Sequence, residues 1–252
     1  MKTYGLIGRT LGHSFSRQFF SEKFSSEGID AEYLNFELPE IDDLTKVFEG
    51  RDICGLNVTI PYKQDVIPFL SELSEDAREI GAVNVIKPIH VHSGNNKDNQ
   101  SVILKGYNTD VIGFMESIRP LLKPHHRNAL VLGTGGASRA ICYGLKKLGL
   151  EVQSVSRTRT LGILSYADLT PTVMGEYSVI VNTTPLGTTP NVDTCADIPY
   201  DCITERHLLF DLVYNPSETL FLRKGREHGA QTKNGLEMLH LQAIAAWKIW
   251  NE

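Results

Sequence analysis

The stretch from Asn128 to Thr158 constrains the fold more than any other part of the chain. Ala129 to Leu132 is a short apolar run of the kind that makes a strand buried on both faces. Gly133, Thr134, Gly135, Gly136 and Ala137 follow at once. Gly133 permits a tight turn, and Gly135 lets backbone N–H groups come close to a pyrophosphate. From Gly136 to about Leu148, the residues Ile141, Leu145 and Leu148 recur at helical spacing, and Gly149 ends the helix. The N-terminus of that helix turns its positive end toward an anion. Glu151 to Ser156 then reads as a second strand. Strand, glycine turn, helix and strand together predict a dinucleotide-binding unit.

In such a unit the residue that reads the ribose lies ~20 residues beyond the first glycine. An NAD binder carries a carboxylate there for the ribose 2′-hydroxyl. This chain has Ser156, Arg157, Thr158 and Arg159 instead. Two guanidinium groups and two hydroxyls suit a 2′-phosphate, because arginine meets phosphate with a planar fork of donors. The predicted cofactor is NADP.

At 252 residues, the chain is long enough for one large domain or two of ordinary size. A net charge of −5 and the absence of a basic run give no support for a nucleic-acid or membrane-surface partner. No apolar stretch reaches the ~18 residues that a membrane span needs. The N-terminus goes straight into a strand and does not read as a signal peptide. Cys54, Cys142, Cys195 and Cys202 lie far apart with no C-x-x-C pair, which fits reduced thiols in a cytoplasm. The histidines, His90, His92, His125 and His126 among them, have no cysteine or carboxylate at ligand spacing, so no metal is expected.

Tyr4 to Ile7 reads as the first strand. Ser14 and Ser16 follow, and in an extended segment two residues apart would share a face. Either could equally cap the helix that runs through Phe19, Phe20 and Phe24 to Gly28. Ala31 to Leu38 alternates as a strand, and Pro39 opens a helix through Ile41, Leu44 and Val47. The β-α-β-α order predicts a mainly parallel sheet. In the segment from Gly55 to Lys63, Leu56, Val58 and Ile60 fall on one side of a strand and Asn57 and Thr59 on the other. Pro61 predicts the first turn of a helix that carries Lys63, where a cation opposes the helix dipole. A lysine so placed, at the carboxyl end of a parallel strand, points to a ligand.

Ser74 to Ile80 reads as a short helix, and Asn84 stands polar in an apolar strand. Residues 93–100 read as a polar hairpin tip. Asp110 precedes an apolar helix from Ile112 to Leu122, where it suits an N-cap. Pro120 to Arg127 reads as the crossing into the nucleotide unit. Beyond Thr158 no pattern emerges until the strand from Tyr177 to Asn182, whose carboxyl end carries Thr183 and lines the nicotinamide side. Leu208 to Val213 is another core strand, leading to Tyr214 and a helix through Leu220 and Lys224. The last helix spans Leu236 to Trp250.

Taken together, Ser14-Phe15-Ser16, Asn57 to Lys63, Gly81 to Asn84, Asn108-Thr109-Asp110, Gly133 to Arg139, Ser156-Arg157-Thr158, Asn182 to Gly187 and Asn234 to Leu239 resemble, in order, the motifs of the shikimate dehydrogenase family. The resemblance runs nearly end to end. It implies an α/β protein of two domains with a cleft between them: a mainly parallel substrate-binding and catalytic domain (1–112 plus 233–252) and a Rossmann-like NADP-binding domain (113–232). It implies NADPH-dependent, reversible reduction of 3-dehydroshikimate to shikimate, in aromatic amino-acid biosynthesis. Lys63 matches the catalytic lysine, with Asp110 as its partner. Ser14, Ser16 and Tyr214 resemble carboxylate-binding hydroxyls. Asn57, Thr59, Asn84, Asp110 and Gln242 match positions that bind or line the ring hydroxyls. Leu212 and Gly235 join Thr183 among the expected cofactor-binding residues.

Two departures from the family stand out. Ser156 replaces a usual asparagine, and Leu161 stands where a further basic residue is common. A quinate/shikimate dehydrogenase of broader range is disfavoured by the lack of an acidic residue at the ribose position. A non-catalytic NADP-binding sensor is disfavoured by Lys63 and Asp110. The expected partner is a small-molecule substrate, acting on a monomer or homodimer.

Overall fold

A computed structural model describes residues 1–12, 14–92 and 100–252, so most of the predicted hairpin tip lies outside the described residues. The chain falls into two compact units: Met1–Thr109 with Ala243–Glu252, and Asp110–Gln242.

The N-terminal unit begins with β1 (Lys2–Gly8), α1 (Phe15–Glu27), β2 (Ala31–Glu37), the short α2 (Leu44–Val47) and β3 (Ile53–Val58). It continues with β4 (Glu72–Leu73), α3 (Glu75–Ile80), β5 (Val85–His92) and β6 (Gln100–Tyr107). Its six strands run in the order β2-β1-β3-β5-β6-β4. β1 pairs in parallel with both β2 and β3, as the β-α-β order predicts. The sheet becomes mixed because β5 and β6 form an antiparallel hairpin, and β5 lies antiparallel to β3. Alternation puts Tyr4 and Leu6 on one face with Phe20, Phe24 and Trp250, while Ile7 faces Leu44, Leu56 and Val66 on the other. Both faces are therefore core, and α1 and the end of the last helix cover one of them.

Three local expectations change here. Phe15 already belongs to α1, whose N-cap is Ser14, so the capping alternative holds for Ser14, and Ser14 and Ser16 straddle a helix start and are not an extended pair. Pro61 follows a cis peptide bond, and residues 60–66 form turns. The Tyr62 N–H bonds back three residues to Thr59, and no run of i→i−4 bonds propagates. Lys63 therefore sits on a turn, and the dipole argument does not apply to it. Asp110, expected as the N-cap, is instead the first residue of its helix.

The second unit contains α4 (Asp110–Ile118), β7 (Asn128–Leu132), α5 (Gly136–Lys147), β8 (Glu151–Ser156) and β9 (Ile163–Ser165). Then come α6 (Pro171–Glu176), β10 (Val179–Asn182), β11 (Leu208–Asp211), α7 (Leu220–Glu227), β12 (Gln231–Lys233) and α8 (Leu236–Asn251), which crosses into the first unit at Ala243. The strand order β12-β11-β10-β7-β8-β9 is wholly parallel. It reverses direction between β7 and β10, the topological switch of a doubly wound sheet. Ala129 and Val131 face Phe114, Ile141 and Leu145, whereas Leu130 and Leu132 face Met174, Leu209 and Phe221. β9, α6 and β12 were not legible in the sequence. Each is short, and β9 and β12 hold no fully buried residue, so neither periodicity was available to reveal them.

Candidate functional site

In the N-terminal unit the predicted polar residues gather where β1 and β3 end. Asn57 is buried near the end of β3, and its Oδ1 accepts a hydrogen bond from the Tyr33 hydroxyl at 2.7 Å. Tyr33 also makes a hydrogen-bond contact with Ser16, and burial pushes its phenol pKa well up, so it stays a neutral donor. The Ser14 hydroxyl accepts the Arg17 N–H at 3.2 Å, capping α1. A capping hydroxyl still has its own hydrogen to donate. The Thr59 N–H donates to the Ile7 carbonyl at 2.9 Å, which carries the β1–β3 pairing to the edge of the sheet.

Lys63 is half-buried, and its carbonyl accepts the Val83 N–H at 2.7 Å. The next residue along, Asn84, is buried and binds Thr109 twice: Oδ1 accepts the Thr109 N–H at 2.6 Å and Nδ2 donates to the hydroxyl at 3.0 Å. Asn108 donates to the Ala82 carbonyl at 2.9 Å. The backbone of Lys63 is thus linked through residues 82–84 to Thr109, the residue covalently joined to Asp110. Asn84 lies just before β5 and not within a strand as expected, and its carboxamide holds that junction.

In the second unit the glycine turn is built as the spacing implies. Gly133 has φ 114°, a conformation closed to side chains, and an added Cβ would stand 2.6 Å from the Thr183 hydroxyl oxygen. Thr183 itself follows β10, across the topological switch, and its hydroxyl donates to the Leu132 carbonyl at 2.7 Å. Ser138 reaches back to the Gly133 carbonyl at 2.7 Å and locks the turn to α5. Gly135 is the N-cap of α5 and provides no capping side chain, and a Cβ added there would meet nothing within 4 Å. The first N–H groups of a twelve-residue helix therefore open, beside Thr134, Gly136 and Ala137, onto free space. That is the cradle a pyrophosphate requires.

At the end of β8, the Ser156 hydroxyl accepts the Thr158 N–H at 3.3 Å and donates to its carbonyl. An asparagine could shape the same turn with its side-chain carbonyl, so the Ser156 departure preserves the loop. Arg157 and Thr158 are exposed, and Arg159 forms an ion pair with Asp168 at 3.1 Å. Leu212 lies just beyond β11, its N–H bonded to the Asn182 carbonyl at 3.0 Å. Its own carbonyl packs on Gly235, where any Cβ would overlap it. Tyr214 is partly exposed, and Gln242 is buried with its amide donating to the Leu239 carbonyl at 2.9 Å.

Sequence reasoning missed Asp211. This fully buried carboxylate closes β11 and accepts from the Val213 N–H at 3.0 Å, from Asn182 Nδ2 at 2.9 Å and from the Thr219 hydroxyl. Burial, outweighing those hydrogen bonds, pushes its pKa up to about 6. The signal was an aspartate ending the apolar run Leu208-Leu209-Phe210, where a charge must find partners. It ties the carboxyl ends of β10 and β11 together just before Tyr214. Among the described residues no group of three or more His, Cys, Asp or Glu is arranged to hold a metal ion.

Residues 6–86 match the family described as the shikimate dehydrogenase substrate binding domain. The chain is 39% identical to a shikimate dehydrogenase (NADP(+)) of Aquifex aeolicus, over 98% of this chain and 90% of that one. A crystal structure of shikimate dehydrogenase from Aquifex aeolicus superposes with TM-score 0.82 at 36% identity, covering 99% of this chain and 92% of the other. The Thermus thermophilus enzyme, solved in complex with NADP(H) and shikimate, gives TM-score 0.82 at 29% identity over 99% and 93%. A glycine-turned helix N-terminus, an arginine-bearing loop after β8, and a lysine whose backbone is tied through Val83 and Asn84 to the Thr109–Asp110 junction stand in a chain aligned with these proteins along almost its whole length. It belongs to the shikimate dehydrogenase family.

Proposed function

We propose that this protein reduces 3-dehydroshikimate to shikimate, reversibly and with NADPH, within aromatic amino-acid biosynthesis. We assign substrate binding to the N-terminal unit together with Asp110, Tyr214 and Gln242 of the second, and the cofactor to the parallel sheet of the second. The observation that carries this reading is the linkage of the Lys63 backbone, through Val83 and Asn84, to Thr109 and hence to Asp110. Such a linkage fixes the backbone from which the Lys63 ammonium reaches toward the reacting oxygen.

When bound, NADPH supplies the hydride that reduces the ketone. Lys63 Nζ gives its proton to the oxygen, which would otherwise remain an alkoxide, and then recovers a proton from solvent. In the oxidative direction neutral Lys63 removes the proton of the reacting hydroxyl. Asp110 orients the lysine and that hydroxyl. Asn57, Thr59, Asn84 and Gln242 bind or line the ring hydroxyls, and Ser14, Ser16 and Tyr214 hold the carboxylate as neutral donors. Thr134, Gly135, Gly136 and Ala137 receive the pyrophosphate, Arg157 and Thr158 take the 2′-phosphate, and Thr183, Leu212 and Gly235 border the nicotinamide. The free cysteines fit a cytoplasmic protein, and we expect it to act as a monomer or homodimer.

Absorbance assays with shikimate and quinate, each with NADP and NAD, test the reading directly. Turnover of shikimate with NADP is expected to dominate. In Lys63→Ala, kcat should fall by about a hundredfold or more with the shikimate KM changed much less. Near-normal turnover in that variant would remove the lysine from its role.

A further inference from the structure

Parallel neighbours in a sheet are normally joined by a crossover of a dozen or more residues, usually containing a helix. β8 and β9 pair in parallel, with only residues 157–162 between them. That short connection lies where a dinucleotide-binding sheet reads the ribose, and it is fastened at several points. Ser156 holds Thr158, Thr160 and Ile163 exchange two backbone hydrogen bonds (3.2 and 3.0 Å), and Gln153 donates to the Gly162 carbonyl at 2.9 Å. The remaining fastening is the ion pair from Arg159 Nη1 to Asp168 Oδ1 at 3.1 Å.

We propose that Arg159 is a specificity-determining residue for the 2′-phosphate of NADP, acting beside Arg157, and that Asp168 is the positioning residue that sets it. This rests on the cofactor reading given above. Asp168 is the fixed partner of the pair. Its Oδ2 accepts the Ser165 N–H at 2.8 Å and the Ser165 hydroxyl at 2.7 Å, forming a capping box over a short 3-10 turn. Its side chain is 23% exposed, against 70% for Arg159. Those hydrogen bonds from Ser165, together with Arg159, hold the carboxyl below its usual range, so it remains an anion. An exposed ion pair contributes little to stability, which leaves placement as its main consequence. One Nη1 contact occupies a small part of a five-donor fork, and a phosphate can be met by the rest.

The arrangement also discriminates. With Arg159 in place, the carboxylate is neutralised. Without it, an unmatched anion would remain on the 3-10 turn after β9, within reach of the loop, and repel a second one. Leu161, wholly exposed at the tip of the connection, contributes no charge, so the cationic character of the loop rests on the two arginines.

Isothermal calorimetry on the full chain, with adenosine 2′,5′-bisphosphate and with 5′-AMP as probes, tests this without turnover. The parent protein should prefer the bisphosphate. Arg159→Ala should weaken bisphosphate binding about tenfold or more while leaving 5′-AMP unchanged. Arg159→Lys should recover only part of the loss. Asp168→Asn should weaken the bisphosphate several-fold with 5′-AMP again unchanged, and Asp168→Asn combined with Arg159→Ala should bind it better than Arg159→Ala alone. A bisphosphate affinity untouched in Arg159→Ala, or tightened in Asp168→Asn, would overturn the proposal while the cofactor assignment stands. A parent chain that binds neither probe would remove the cofactor reading itself, and this inference with it.

Discussion

At the scale of single residues, the buried polar groups separate into those available to a ligand and those used by the protein. Asp211 belongs to the second kind, since its carboxylate accepts from Val213, Asn182 and Thr219. Asp211 makes a prediction about pH. Its folded pKa of about 6 lies above the 3.8 of an ordinary carboxyl. Between those values the folded state holds a proton that the unfolded chain has released, so this group's contribution to stability falls as pH rises and is at its least above about 6. The swing is on the order of 3 kcal/mol. Asp211→Asn, which removes the titration, should therefore gain on the parent as pH rises from about 4 to about 7, whatever its absolute stability. Parallel thermal melts of the two proteins across that range measure the difference, and a constant offset would show that Asp211 does not titrate as stated.

At the scale of elements, the turn between β7 and α5 depends on one backbone conformation. Gly133→Ala forces a side chain into φ 114° and against Thr183, at a cost of about 1–3 kcal/mol in strain. It also displaces the N–H groups at the start of α5. We expect a lower melting temperature and binding of adenosine 2′,5′-bisphosphate weakened by about tenfold or more, because a charge-assisted hydrogen bond contributes that much. Calorimetry that returned the parent affinity would mean the turn has no part in holding the anion. Sequence and structure agree closely on this element because its signal is local: an apolar strand, the glycines and a helical repeat are contiguous. The opposite case is Pro61. A proline suits the first turn of a helix, but Tyr62 is committed elsewhere, its hydroxyl donating to the Leu38 and Pro39 carbonyls at 2.6 and 2.8 Å. Contacts more than twenty residues away, invisible to a local pattern, accompany a turn in place of the helix.

At the scale of the whole molecule, the two chain ends meet in one unit. Trp250, near the end of α8, packs with Tyr4, Phe20 and Phe24, faces Gly55, and donates its indole N–H to the Ile86 carbonyl at 3.1 Å. Removing a buried aromatic of this size costs about 3–5 kcal/mol. Trp250→Ala should therefore lower the melting temperature by roughly 10 °C, although no candidate site residue is touched. A melt unchanged within a degree or two would show that the last helix is not a structural member of the N-terminal unit.

What the sequence determined by itself was whatever lies in contiguous pattern: the β-α-β order, the dinucleotide turn, the arginines after β8, and the lysine and aspartate that mark the candidate chemistry. Adjacent residues share backbone geometry, so their meaning survives without knowledge of the rest of the chain. Only the tertiary structure decided that β5 enters its sheet antiparallel, that Asn84 bonds to Thr109, that Asp211 joins two strand ends, and that Arg159 answers to Asp168. Each of these is a partnership across the chain, set by which buried donors and charges meet when the sheets close, and no local periodicity records it.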